Sequence, residues 1–335
     1  MGSFLATVKN VTIITVCSLI VLDTGRSQSL EKAVYSSRFT LHPVSLSLAQ
    51  HSQFANSLSS DSDTLTPTDA QLQPPNQVDY TRMAIVGAGL AAVIAGIHIY
   101  QQNGWWKDNR TSFHFREDLR YGLWVDKIGH FHGAAFAGFL GTKAFEWTNV
   151  SDETALWLGV GTGFLFQTYI EIEDGFSEWG FDRVDFSADV LGAAWPIARH
   201  YSPFLQNFDI KFSYHPSPLL NTASGTGFQG QQHLIFDDYE GQTMWFTARI
   251  HDILPRRARS FWPDFLGIAL GYGARDISSK SAYPVVFVAF DYDMTRIIPT
   301  NTWFLRTLGQ ALNFIHFPSP TVRISPSAVW YGLYF

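Results

Sequence analysis

The chain has 335 residues, 46% of them hydrophobic, 16% aromatic and only 16% charged. Soluble domains carry about 25% charged residues, so this composition, with 28 Phe and 11 Trp, points toward a membrane or a lipid surface. The net charge of −6 gives no support for a nucleic-acid partner, and the lone Cys17 excludes a disulfide framework and a thiol nucleophile in a processed chain.

The N-terminus reads as an export signal over residues 1–29. Lys9 supplies positive charge, and residues 11–22 form an apolar run too short for a comfortable membrane span, which takes about 20 residues. Cleavage is expected near residues 27–29; an uncleaved anchor is the alternative. Further apolar residues follow Cys17 in the same run, so no lipoprotein box is expected. Residues 30–78 are rich in Ser, Thr, Gln, Asn and Pro, as in Gln73-Pro74-Pro75-Asn76. Such a stretch buries too little apolar surface to offset chain entropy and is expected to be a disordered linker.

Residues 79–204 are expected to form a helical, membrane-associated domain of about four helices. The first candidate, 83–100, is nearly all apolar and carries the small residues Gly87, Gly89 and Gly96; it is the best membrane helix in the chain. Its segment Ile85-Val86-Gly87-Ala88-Gly89-Leu90-Ala91-Ala92 matches a dinucleotide-binding fingerprint. That motif needs a strand before it and strand–helix alternation after it, and neither is expected, so no organic cofactor is assigned. Residues 103–121 are aromatic and basic, with Trp105, Trp106, Arg110, Phe113, Phe115 and Arg116, the composition of a membrane interface. Helices follow at 123–147, 153–172, with Ser151 or Asp152 as N-cap, and from 184 or 185 to about 200.

From about 205 to 335 the texture becomes β-rich. Candidate strands are 210–214, 244–250, 266–272, 285–293, 321–324 and 329–335, with one helix at 302–315. In the fourth, Phe287, Ala289 and Asp291 share one face and Val286, Val288, Phe290 and Tyr292 the other. The aromatic end, Trp330-Tyr331-Gly332-Leu333-Tyr334-Phe335, resembles the last strand of outer-membrane barrels. The expected fold class is α+β with an antiparallel sheet.

Charges inside apolar helices are costly unless paired. They fall in three groups: Asp126-Lys127-Ile128-Gly129-His130, then Glu171 with Asp174, then Asp182-Arg183-Val184-Asp185 with Asp189. Asp126 and His130 share a helical face, as do Asp185 and Asp189. The three groups are expected to converge on a polar cluster. Asp126, His130, Glu171, Asp185 and Asp189 suit a divalent metal. His130, Glu171 and Asp185 suit acid/base catalysis. A purely structural network closed by Lys127 and Arg183 explains the same residues.

In this order the groups resemble an uncharacterised bacterial family of predicted periplasmic lipoproteins, the YfiM-like proteins, and more distantly the VanZ-like membrane proteins. The shared pattern is Asp-Lys-x-x-His, a Glu ending the next helix, and Asp and Asn before Gly-Ala. It covers residues 122–200, with Asp189 standing where the pattern has Asn, before Gly192-Ala193. Downstream, Asp238-Tyr239-Glu240-Gly241-Gln242-Thr243 and Leu270-Gly271-Tyr272-Gly273-Ala274 resemble longer members. The resemblance implies the bacterial cell envelope and no particular reaction. The expected function is a membrane-associated structural or interaction module, with the lipid membrane and an envelope protein as partners. The alternatives are a metal-dependent or acid/base enzyme acting on a lipid or lipid-linked substrate, and an outer-membrane protein whose last third is a partial barrel.

Overall fold

The computed structural model describes residues 77–335 apart from 104, 105, 108, 221–237, 278 and 280. The expected signal peptide, nearly all of the expected linker and Trp105 lie outside the described residues. Val78–Phe335 form one compact unit of helices followed by an antiparallel sheet.

Helix α1, Tyr80–Asn103, contains the whole glycine fingerprint within a single helix. Asp79 caps it by accepting the Arg82 N–H at 3.0 Å. Helix α2 is Val125–Glu146, α3 Asp152–Gly175 and α4 Arg183–Tyr201. Ser151 caps α3 through the Thr154 N–H at 3.2 Å. Asp182 caps α4 through the N–H groups of Val184 and Asp185. Helices α2, α3 and α4 all contact one another, and small residues set the distance: Gly138 and Gly141 of α2 lie against Gly163 and Gly159 of α3.

The sheet runs β1 Phe208–Tyr214, β2 Gln242–Ala248, β3 Leu266–Arg275, β4 Tyr283–Tyr292, β5 Ser319–Ser325 and β6 Val329–Tyr334, in that spatial order and antiparallel throughout. The free edge of β1 pairs with the chain that enters β5: Phe212 N–H donates to Phe314 O, and His316 N–H donates to Phe212 O, both at 2.9 Å. The sheet therefore curls, although among the described residues no strand pairs beyond β6. Seven helices are present among the described residues, rather than about five. The extra two are the single turns α5, Ile250–Ile253, and α6, Met294–Ile297, which precede α7, Trp303–Leu312. Four residues are too few to display a helical period.

Strand alternation separates two faces. Trp245, Ala269, Val285, Phe287 and Ala289 form the buried core of the curl, and Trp245 stacks on His316 at 3.9 Å between centroids. The same interior holds charge. Buried Lys211 donates to Asp291 Oδ2 at 2.8 Å, Tyr292 O at 2.9 Å and Asn313 Oδ1 at 3.0 Å, so all three of its protons have acceptors. On the opposite face, Phe212, Met244 and Tyr272 pack in one cluster with Val125 of α2, and the rest is apolar and largely exposed. One row crosses five paired strands through Phe246, Leu270, Val288, Val322 and Trp330, and Ile268 and Phe290 pair in the next outward row.

Candidate functional site

The polar cluster forms where the C-terminal half of α3 and the N-terminal halves of α2 and α4 meet. The chain enters α2 through three left-handed residues, Gly122, Leu123 and Trp124, with φ of 55°, 49° and 74°. Leu123 and Trp124 pay a steric penalty there; the sheet fixes the turn, with the Tyr272 hydroxyl donating to Leu123 O at 2.6 Å. The next turn carries Asp126, Lys127 and His130.

Lys127 is 3% exposed and joins three carboxylates: Asp185 at 3.0 Å, Asp126 at 3.2 Å and Asp182 at 3.3 Å. Asp126 also accepts the Tyr239 hydroxyl at 2.6 Å. Asp182 does double duty, capping α4 with one oxygen and meeting Lys127 and the Asp118 N–H with the other. Beside this group lies a second. His130 Nδ1 is 3.2 Å from Asp189 Oδ1 and 3.5 Å from Glu171 Oε1, and its Nε2 faces Asp126 Oδ1 at 3.8 Å. Gln167 donates to Asp189 Oδ1 at 3.0 Å, and Glu171 Oε2 accepts the Asp182 N–H at 3.2 Å. Asp174, one turn further along α3, accepts the Trp106 indole N–H at 2.6 Å.

Asp126, Lys127, His130, Glu171, Asp174, Asp182, Asp185 and Asp189 are thus brought together. Arg183, expected among them, is not. Successive helical residues point about 100° apart, so placing Asp182, Asp185 and Asp189 inward turns Arg183 outward, where it pairs with Glu117 on the surface. In the segment expected at a membrane interface, Phe113 and Phe115 are exposed but one indole is not. Trp106 is buried and serves Asp174, while Arg110 pairs with Glu173 at 2.6 Å. Gln167 and Tyr239 were not singled out as site residues. Gln167 lies four residues before Glu171, hence on its face; Tyr239 lies within the Asp238–Thr243 string that the family resemblance quoted without a role.

Six carboxylates and two cationic groups share little solvent. Burial pushes Glu171 up to about 9, with the neighbouring carboxylates adding to it and His130 opposing. Burial likewise raises Asp174 and Asp185 to about 7. For His130, burial works against the charge, but the Asp189 hydrogen bond and the surrounding carboxylates outweigh it and hold the imidazole well above 6.5. Lys127 is held above its ordinary value by Asp126 and Asp185 despite burial. In Asp182, hydrogen bonds from the Asp118 and Val184 N–H groups and the Lys127 charge overcome burial and lower it.

These directions fix a pH dependence. Glu171, Asp174 and Asp185 keep protons in the folded chain that the unfolded chain releases, so their effect destabilises the fold as pH rises above about 4. The favourable terms of His130 and Lys127 are full below their unfolded values and are lost as pH rises through their folded ones. Asp182 acts oppositely, but only below its ordinary 3.8. In chelator, the melting temperature is expected to be lower at pH 9 than at pH 6, and Glu171→Gln should flatten the slope. An unchanged or rising melting temperature across that range contradicts the assignment.

A second constellation has the order of a nucleophilic triad: Ser319 Oγ, His316 and Asp291, with contacts of 3.5 and 3.1 Å. It is not arranged for attack. Ser319 is fully buried, and its hydroxyl donates to Phe290 O at 2.6 Å. With Lys211 it forms a polar network that ties the inside of the sheet.

The α2–α4 centre, in contrast, borders a cavity of about 100 Å³ lined by Asp126, His130, Glu171, Asp174, Asp185 and Tyr239. No family model, curated protein or solved structure matches this chain.

Proposed function

We propose that the protein is a cell-envelope module that sits in a membrane with the outer face of its sheet against hydrocarbon, and that the His/carboxylate centre locks its helices together. The observation that carries this reading is the polarity of the sheet. Lys211, Asp291, Thr247 and Thr321 are buried inside the curl, while Phe246, Leu270, Val288 and Phe290 are exposed outside it. The interior also holds the apolar core of Trp245, Val285 and Phe287, so it is the exposed apolar outer side that is unusual in water and expected against lipid. Soluble surfaces rarely carry contiguous apolar patches beyond a few hundred Å². Helix α1 supports the same placement. It is 24 residues long, the only described helix long and apolar enough to cross a bilayer, and only 6% of its apolar window is buried. The resemblance of residues 122–200 to an envelope family supports the compartment.

The alternative of an acid/base or metal-dependent enzyme acting on a lipid or lipid-linked substrate would use the cavity lined by Asp126, His130, Glu171 and Asp185. Flotation tests the membrane reading. The purified chain, reconstituted without detergent, is expected to rise with vesicles in a density gradient and to stay with them through high salt, since apolar contact is not screened. Recovery as a dispersed, vesicle-free monomer contradicts it, and release by salt reduces the contact to a charged one.

A further inference from the structure

We infer that the helical unit binds one divalent cation between His130, Glu171 and Asp189. One ligand atom from each of these residues lies within 4.8 Å of the other two. Nδ1 of His130 is 3.2 Å from Asp189 Oδ1 and 3.5 Å from Glu171 Oε1. Ligands bound at about 2.1 Å in tetrahedral or octahedral geometry lie roughly 3.0–3.5 Å apart, so these side chains need only small adjustments to share an ion.

A separate observation points to the same place. Asp189 is 0% exposed, yet its Oδ2 has no hydrogen-bond partner. A buried, unpaired carboxylate oxygen is uncommon and calls for an explanation, and a cation supplies one. The two carboxylates are already braced as metal ligands usually are. Gln167 holds Asp189 Oδ1 at 3.0 Å and the Asp182 N–H holds Glu171 Oε2 at 3.2 Å, while the far imidazole nitrogen stands 3.8 Å from Asp126, beyond hydrogen-bond reach.

Asp126, His130 and Asp185 form a second triplet with ligand-like spacing, and Asp185 Oδ1 is likewise buried without a hydrogen-bond partner. Lys127 decides between the two. Its ammonium sits 3.0 Å from Asp185 and 3.2 Å from Asp126, so that side already holds a cation and would repel another. The Glu171/Asp189 side has only the imidazole, which gives up its charge on ligation. The donor set of one imidazole and two carboxylates suits Mn²⁺, Fe²⁺ or Zn²⁺; Ca²⁺ takes six to eight oxygen ligands and Mg²⁺ prefers oxygen and water. The ion reaches His130 and Glu171 from the cavity that both line. The inference does not depend on where the sheet sits.

The test uses the full chain in detergent, stripped with chelator and titrated with MnCl2, ZnCl2 or CaCl2. One Mn²⁺ or Zn²⁺ per chain is expected, with Ca²⁺ at least 100-fold weaker. Glu171→Gln and His130→Gln should each weaken binding at least 100-fold, and Gln167→Ala about tenfold. Electron spin-echo spectra of the Mn²⁺-bound wild type should carry the nitrogen coupling of a ligated imidazole, a readout that needs no variant to fold. Absence of binding above background, or of the nitrogen coupling, overturns the inference. So does binding that survives Glu171→Gln but is lost in Asp126→Asn, which assigns the ion to the other triplet.

Discussion

Replacing Lys127 with methionine is expected to cost about 3–5 kcal/mol, the range for breaking a buried ion pair by removing one partner. Asp126, Asp182 and Asp185 all converge on this ammonium. Methionine fills similar volume but leaves the three carboxylates to be protonated, hydrated or driven apart. Because they stand on α2 and at the start of α4, the loss separates two helices rather than loosening a surface contact. Denaturant unfolding of the wild type and variant at pH 7 measures it. Adding Asp185→Asn to Lys127→Met should restore part of the loss, since fewer charges are then stranded. A loss below about 1 kcal/mol would mean that the centre is well hydrated and does not lock the helices.

A second large effect is expected at the α2–α3 contact. A side chain on Gly159 has nowhere to go: its Cβ would overlap the backbone nitrogen of Thr142, and Gly141 and Gly163 are similarly close to the facing helix. Backbone cannot rotate away as a side chain can. Gly159→Ala should therefore cost about 3 kcal/mol, at the upper end for overfilling a tight contact, and Gly159→Val more. Gly161, two residues along the same helix, has nothing within 4 Å of its would-be Cβ. Gly161→Ala should stabilise α3 by about 0.5–1 kcal/mol through reduced chain entropy. Thermal melts of the two variants side by side decide the matter; equal effects would show that α2 and α3 are not in backbone contact.

Much of the architecture was legible because its signals are local. The cap at Ser151, the apolar run that became α1 and the alternation in β4 each lie within a few residues. Asp126 and His130 were placed on one face by their spacing alone. What was hidden depends on distant pairing. Alternation in β4 put Phe287, Ala289 and Asp291 together, but nothing local says that this face turns inward. That is decided by Lys211 and His316, which come from β1 and from the chain entering β5 to meet Asp291. Arg183 adjoins Asp182 in sequence, but helical rotation carries its side chain to the outer face, where it meets Glu117. Trp106 was read by composition, and composition does not distinguish an indole at a membrane interface from one that donates to a buried carboxylate.

The membrane placement of the sheet rests on two outward rows of side chains and can be read from them directly. In a Cys17→Ser background, single cysteines at Leu270, Val288 and Phe290 would carry spin labels in protein reconstituted into vesicles, with exposed Arg256 as the aqueous reference. The account predicts high collision rates with oxygen, which concentrates in hydrocarbon, and low rates with a water-soluble nickel chelate at all three outward positions. Nickel accessibility equal to that at Arg256 would contradict it, and so would shielding from both reagents, which would mean that protein rather than lipid covers the face.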